Sequence, residues 1–206
     1  MTTVQFWFEF ASTYSYPAAM RIGARAARAG MTIAWRPFLL GPIFQTQGWN
    51  DSPFNVYPVK GRYMWRDLER ICRREGLAWR RPSRFPRGSL LGARVACVGT
   101  TEAWGPDFVR AVYHANFVED REIGERTVVA GILSALGADA ETALARAGTP
   151  EVKGMLRANT EEAVALGVFG APSFVVDGEL FWGNDRLADA LDWATGQAAR
   201  PPDGAA

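Results

Sequence analysis

Strand signals occur only near the two ends of this chain, and everything between them has helical periodicity. Residues 4–10 form a β-branched and aromatic run, residues 15–29 follow a helical pattern stopped by Gly30, and residues 31–40 read as a second strand. So close a strand–helix–strand succession makes a right-handed βαβ unit with parallel strands. At the other end, residues 173–176 and 179–182 flank Asp177-Gly178, a strong hairpin turn, and Asn184 or Asp185 is expected to cap a last helix running to Ala194. The βαβ and ββα pieces together make one mixed sheet with helices on its faces, which turns the helices between them into an insertion.

Within that insertion, residues 63–75, 90–103, 108–118, 125–136 and 140–147 each fit an amphipathic helix. Thr149-Pro150-Glu151 starts another, because Thr149 can accept from an orphan N–H and Pro150 suits the first helical position. Residues 41–62, rich in Gly, Pro, Asn and Gln, read as a long loop and a boundary. The expected fold is α/β and thioredoxin-like, βαβ plus ββα with an inserted all-helical domain. Residues 1–44 and 165–197 would form the sheet domain, 45–164 the insertion, and 198–206 a disordered tail.

Composition narrows the function. With 206 residues and 48% of them hydrophobic, a sizeable core is expected. Lys plus Arg number 23 and Asp plus Glu 22, a net charge of +1, so no global field favours nucleic acid or an anionic membrane. No export signal and no run of eighteen apolar residues occurs, so a cytoplasmic protein without a membrane partner is expected. Cys72, Cys97 and His114 are too few and too scattered for a metal site or a disulfide framework. Both cysteines lie in helical patterns, which disfavours a Cys/His nucleophilic pair, and His114 reads as a helix-edge residue. The ten arginines between Arg62 and Arg94, interleaved with Trp65 and Trp79, could suggest a nucleic-acid groove, but Asp67, Glu69 and Glu75 lie among them at helical spacings. Solvated or paired arginines are the better reading.

The chemistry is expected where the carboxyl end of the first strand meets the first helix, since free N–H groups and the helix dipole favour an anion there. Thioredoxin-like redox proteins keep Cys-x-x-Cys at this turn, and here the corresponding positions are Ser12 and Ser15. Hydroxyls cannot exchange disulfides, so a dithiol oxidoreductase is excluded and the thiolate would have to arrive on a ligand. Ser12 can equally be an ordinary N-cap. In Phe169-Gly170-Ala171-Pro172-Ser173, Pro172 is either a cis proline facing the active turn or a trans proline opening an edge strand.

The segment Val168-Phe169-Gly170-Ala171-Pro172-Ser173-Phe174, followed by residues 178–187 (GELFWGNDRL), resembles the C-terminal signature of 2-hydroxychromene-2-carboxylate isomerases. These are glutathione-dependent relatives of kappa-class glutathione transferases and DsbA-type oxidoreductases. Arg36-Pro37-Phe38 and Lys60-Gly61-Arg62-Tyr63-Met64 extend the resemblance to roughly residues 4–195. It implies glutathione as cofactor, an aromatic 2-oxo acid as substrate, cis-trans isomerisation as the reaction, and a homodimer. By the same resemblance Ser12 is the serine that hydrogen-bonds the glutathione sulfur. Lys60, Asp67 and Asn50 lie near the tripeptide, Ala171 before the cis Pro172 offers its backbone, and Asn184 with Asp185 holds the γ-glutamyl end. One departure is Thr13, where the family commonly has proline, which implies a less rigid helix entry. The alternatives are a kappa-like transferase that retains the adduct and a non-catalytic glutathione or peptide binding module.

Overall fold

The first strand, β1 (Thr3–Phe8), buries Val4, Phe6 and Phe8 on one side and Trp7 on the other, so it needs cover on both faces. A computed structural model of the chain, describing residues 2–196, supplies that cover by making β1 an inner strand. β1 runs parallel to β2 (Thr32–Pro37) and antiparallel to β3 (Ser173–Val176), and β4 (Glu179–Trp182) pairs antiparallel with β3, giving the order β2-β1-β3-β4. Phe6 lies opposite both Trp35 and Phe174, and Phe174 opposite Phe181. Paired residues share a face, so these four aromatics form a row across the sheet, with the Phe6 and Phe174 rings stacked at 5.5 Å. The opposite face buries Trp7 with Phe38 and Val175 in a smaller cluster.

α1 (Ser15–Arg28) crosses from β1 to β2. Between β2 and β3 come α2 (Leu40–Thr46), α3 (Pro53–Val56), α4 (Pro58–Glu75) and α5 (Leu90–Gly99). They are followed by α6 (Gly105–Phe117), α7 (Arg126–Ala135), α8 (Ala140–Ala147) and α9 (Pro150–Ala165). After the β3–β4 hairpin, a 3-10 turn at Asn184–Arg186 leads into α10 (Leu187–Thr195). One continuous core joins the sheet to the helices: Phe8 and Phe10 of the β1 end pack against Phe108 and Tyr113 of α6. Among the described residues no helix is long and apolar enough to cross a membrane.

The hairpin and α8 fall where the sequence predicts, and Thr149 accepts from the Val152 amide at the start of α9. Four expectations need correction. Residues 41–62 are not a long loop, because Pro53 and Pro58 occupy first helical positions, where a missing N–H is harmless, and start α3 and α4. The second strand ends at Pro37, and Leu40 already belongs to α2. Neither Asn184 nor Asp185 caps the last helix: α10 has no side-chain cap, and the Asn184 side-chain carbonyl accepts instead from Arg21. α5 also stops at Gly99, short of the expected 103; a Cβ on Gly105 would fall 1.9 Å from the Gly99 carbonyl oxygen, so the turn into α6 requires glycine. The tail expected at 198–206 lies outside the described residues.

Phe174 is fully buried at the centre of the aromatic row. Phe174→Ala is expected to cost about 3–5 kcal/mol, read from the urea midpoint at unchanged m-value. A cost below about 1 kcal/mol would show that the row does not hold the sheet to its helices.

Candidate active site

Past the end of β1 the carbonyls of Glu9 and Phe10 have lost their strand partners, yet both residues are buried and their polar groups must be satisfied. α6 satisfies them across more than a hundred residues of sequence: the Tyr113 hydroxyl donates to the Glu9 carbonyl (2.9 Å) and the Asn116 amide group to the Phe10 carbonyl (3.1 Å). The Ser12 amide also donates to the Glu9 carbonyl (2.9 Å), closing the turn. Ser12 then emerges half-buried at the start of α1. Its Oγ donates to the Ala171 carbonyl (2.7 Å) and accepts from the Ser15 amide (3.3 Å). The residue flanking α1 is Tyr14, so Ser12 serves the helix N-terminus from two positions further out.

Ala171 sits in an equally fixed loop. The Ala171–Pro172 peptide bond is cis, as is Phe85–Pro86, for which the sequence holds no signal. Ser173 Oγ donates to the Gly170 carbonyl (2.9 Å), and the Gly183 amide to the Pro172 carbonyl (3.0 Å).

Ser12 and Ala171 open onto a cavity of about 1150 Å³, and Pro172, Asn50, Lys60, Asp67, Asn184 and Asp185 lie in the same lining. Ser15, the other position of the pair, is buried and is not in it. Lys60 and Asp67 reach the cavity together because they are two turns apart on α4. Gly61 allows α4 to sit against α3, since a Cβ there would lie 2.2 Å from the Phe54 carbonyl oxygen. Lys60 is exposed, its Nζ 5.8 Å from the Phe54 ring centroid; Asp185 is exposed beside Arg186 (3.5 Å); Asn50 is exposed between α2 and α3. Asn184 differs: it is buried and bound by Arg21, which also pairs with Glu75 (3.0 Å). The rest of the lining is largely apolar, with Leu40, Phe44, Trp49, Phe54, Phe85 and Leu90. Asn55 of α3 donates to the Phe85 carbonyl (3.3 Å), tying the two stretches that supply these aromatics.

Two residues of the lining escape the sequence reading. Tyr14 donates to Asp67 Oδ2 (3.0 Å). Burial first, and that bond second, hold its phenol well above the usual range, so it stays a donor and orients the carboxylate. Glu9 is buried with Oε1 accepting from the Ala11 amide (3.2 Å), and burial pushes its carboxyl above the ordinary glutamate range against the opposing hydrogen bonds of Ser89 and Ala11. Glu9 also lines the cavity. Thr13 does not loosen the helix entry: it is buried, its hydroxyl donates to Met64 Sδ (3.0 Å) of α4, and Pro17 sits in the first turn of α1.

Six of the ten arginines in the rich stretch pair with carboxylates. Arg66 and Arg73 meet Glu69 at helical spacing, Arg74 meets Glu75, and Arg80 and Arg84 reach Asp120 and Glu122. Arg87 is buried, bonded to Asn116 (3.1 Å) and Asp120, and so anchors the loop carrying Phe85 and Ser89. The amide of Ser83 and the Arg87 side chain hold the Asp120 carboxyl down at about 2. Cys72, Cys97 and His114 are absent from the lining; both thiols are buried and pushed up to about 11 by burial, and His114 is half-exposed beside Glu119 (3.2 Å).

Residues 3–192 match the model of the DSBA-like thioredoxin domain. The chain is 32% identical over 186 residues to a 2-hydroxychromene-2-carboxylate isomerase of Sphingobium xenophagum, covering 90% of this chain and 94% of the relative. It is 26% identical over 204 residues to glutathione S-transferase kappa 2 of Caenorhabditis elegans, covering 92% and 90%. A solved 2-hydroxychromene-2-carboxylate isomerase structure superposes with a TM-score of 0.84 at 26% identity over 95% of each chain.

The raised Glu9 carboxyl has a consequence for stability. On raising the pH the unfolded chain releases this proton first, near 4.5, while the folded chain retains it to higher pH, so stability falls across that interval. Glu9→Gln keeps an acceptor for the Ala11 amide and removes the titration. Its stability relative to wild type is expected to rise between pH 4 and pH 7 in denaturant melts; a pH-independent difference would contradict the shift.

Proposed function

The chain belongs to the 2-hydroxychromene-2-carboxylate isomerase family of DSBA-like thioredoxin domains, and from that membership we propose that it is a glutathione-dependent cis-trans isomerase acting on an aromatic 2-oxo acid with a conjugated double bond. The observation that carries this reading is Ser12: at the turn where a redox relative keeps its thiol stands a hydroxyl, bonded to the Ala171 carbonyl on the wall of the cavity. The named relatives include isomerases and a glutathione S-transferase, which supports the same pairing of cofactor and reaction.

The lining fits glutathione, a tripeptide with two carboxylates, one ammonium and a thiol. Lys60 is a cation for a carboxylate, Asp185 and the Tyr14-oriented Asp67 are anions for the ammonium, and the α1 N-terminus favours negative charge at Ser12. A single drug-sized ligand takes a pocket of roughly 300–1,000 Å³, so 1150 Å³ leaves space for a second molecule. When bound, glutathione supplies a thiolate that adds to the conjugated carbon and leaves again once the bond has rotated. Ser12 donates to the sulfur, Phe44, Trp49, Phe54 and Phe85 hold the flat acceptor, and Glu9, whose carboxyl burial raises, is the lining's candidate donor to its keto oxygen in the protonated form. We extend the reading to a cytoplasmic homodimer, where buried free cysteines suit a reducing compartment.

The test supplies glutathione and an aromatic cis 2-oxo acid and follows products and glutathione together. Trans product with glutathione unchanged is expected, and insulin disulfides should remain unreduced. A stable conjugate would assign a transferase, and binding without turnover would leave a binding module.

Lys60→Ala and Asp185→Ala are each expected to weaken glutathione binding about tenfold, the low end for a charge-assisted bond because both groups sit at the exposed rim. Calorimetry at unchanged melting temperature reads the effect, and unaltered affinity in both variants would remove these assignments.

A further inference from the structure

The Ser12 hydroxyl has one proton, and it is already placed on the Ala171 carbonyl at 2.7 Å, while a lone pair of the same oxygen takes the Ser15 amide. A hydroxyl in that state cannot also donate to a sulfur. Turning it away leaves the Ala171 carbonyl, which is only partly exposed, without a partner, and the desolvation of that group then opposes the gain at the sulfur. Backbone movement cannot relieve the conflict cheaply, because Ser12 is tied to Glu9 on one side and the residues flanking Ala171 are tied by Ser173 and Gly183 on the other. Rotation of the hydroxyl is the free motion. Within the described residues nothing accepts from the Ala171 amide, so this residue presents an open N–H beside a carbonyl that Ser12 occupies.

We propose that Ser12 is a two-position donor, closed on the Ala171 carbonyl in the empty site and released to a ligand's sulfur only when an N–H of the same ligand takes that carbonyl over. Thiolate stabilisation is therefore confined to thiols that carry an amide N–H next to the thiol-bearing arm, which is the chemistry of a cysteine acylated on nitrogen. Small thiols without that N–H leave the hydroxyl where it is and are bound, if at all, as neutral thiols. The inference rests on the proposed use of glutathione and adds the condition under which its sulfur is activated.

Two ligands separate the halves of the exchange. S-methylglutathione carries the N–H but offers only a thioether, so in wild type it displaces the Ser12 hydroxyl without giving it an anion to bind. In Ser12→Ala the Ala171 carbonyl is already free. S-methylglutathione should therefore bind Ser12→Ala several-fold more tightly than wild type, whereas the preference for glutathione over S-methylglutathione, above the pH at which the bound thiol ionises, should fall about tenfold in Ser12→Ala, one unit of thiol pKa. Both affinities are read by calorimetry on samples whose folded fraction is set by melting. A second arm needs no variant: ultraviolet titration of thiolate on wild type with glutathione and with its analogue bearing an ester oxygen in place of the cysteinyl N–H. Glutathione's thiol should titrate about a unit below its free value, and the ester's at its free value. S-methylglutathione binding Ser12→Ala no more tightly than wild type, or an equal drop for the ester, would overturn the exchange while leaving glutathione as the cofactor. Failure of glutathione itself to bind wild type would instead overturn the function.

Discussion

The site depends on two hydrogen bonds made by α6, from Tyr113 and Asn116 to the carbonyls of Glu9 and Phe10. A strand that ends inside a protein leaves its last carbonyls without ladder partners, and once buried they must be satisfied by other groups. Because the replacements come from a helix of the insertion, the inserted helices complete the sheet's active edge as well as filling space beside it. The aromatic packing follows the same line: Phe10 meets Tyr113 at 5.2 Å and Tyr113 meets Phe117 at 6.3 Å, so the rings that bury the end of β1 belong to the helix that satisfies its backbone. With that end fixed, Ser12 has one place to emerge, and the distance to Ala171 is set by the β1–β3 register, in which Trp7 pairs with Ser173.

What the sequence discloses divides by the range of the interactions involved. The hairpin at 173–182, the start of α9 at Thr149-Pro150 and the bounds of α8 are encoded by residues within a few positions of one another, and all were legible. The cis bond at Pro172 was legible only through its neighbours, since Phe85–Pro86 is equally cis in a segment without any such context. Residues 41–62 were misread because Gly, Pro and Asn are punctuation in either sense: Pro53 and Pro58 open helices instead of interrupting a loop. Glu9 and Tyr14 were missed for a different reason. A glutamate after an apolar strand and a tyrosine at a helix entry are unremarkable until Ser89 and Asp67 are brought against them from far along the chain.

The charges tell a related story. The arginine-rich stretch supplies structural pairs: Arg87 holds the loop that bears Phe85, and Glu75 gathers Arg21, Arg25 and Arg74 between α1 and α4. Through Arg21 that cluster reaches Asn184, so a residue placed beside the ligand by resemblance is engaged with the framework. Asn184 is better understood as fixing the turn that presents Asp185 than as a free ligand contact. Lys60 and Asp185 retain the exposure a charged ligand needs, and their neighbours keep them at the rim without burying them.

The same cavity thus holds groups in opposite electrostatic conditions. Glu9, buried at the strand end, favours its neutral form, whereas Ser12, a few residues on, faces the N-terminus of α1, where an anion is favoured. The proposed reaction, which begins by stabilising a thiolate and proceeds by placing charge on a carbonyl oxygen, needs both conditions close together without mutual cancellation. The turn between them separates a carboxyl that burial shifts toward its neutral form from a hydroxyl that stabilises charge by hydrogen bonding alone. An ionised carboxylate at Glu9 would raise the thiolate's energy instead. The burial that raises the Glu9 carboxyl and costs the fold stability as the pH rises is therefore also what disfavours a second negative charge beside the sulfur.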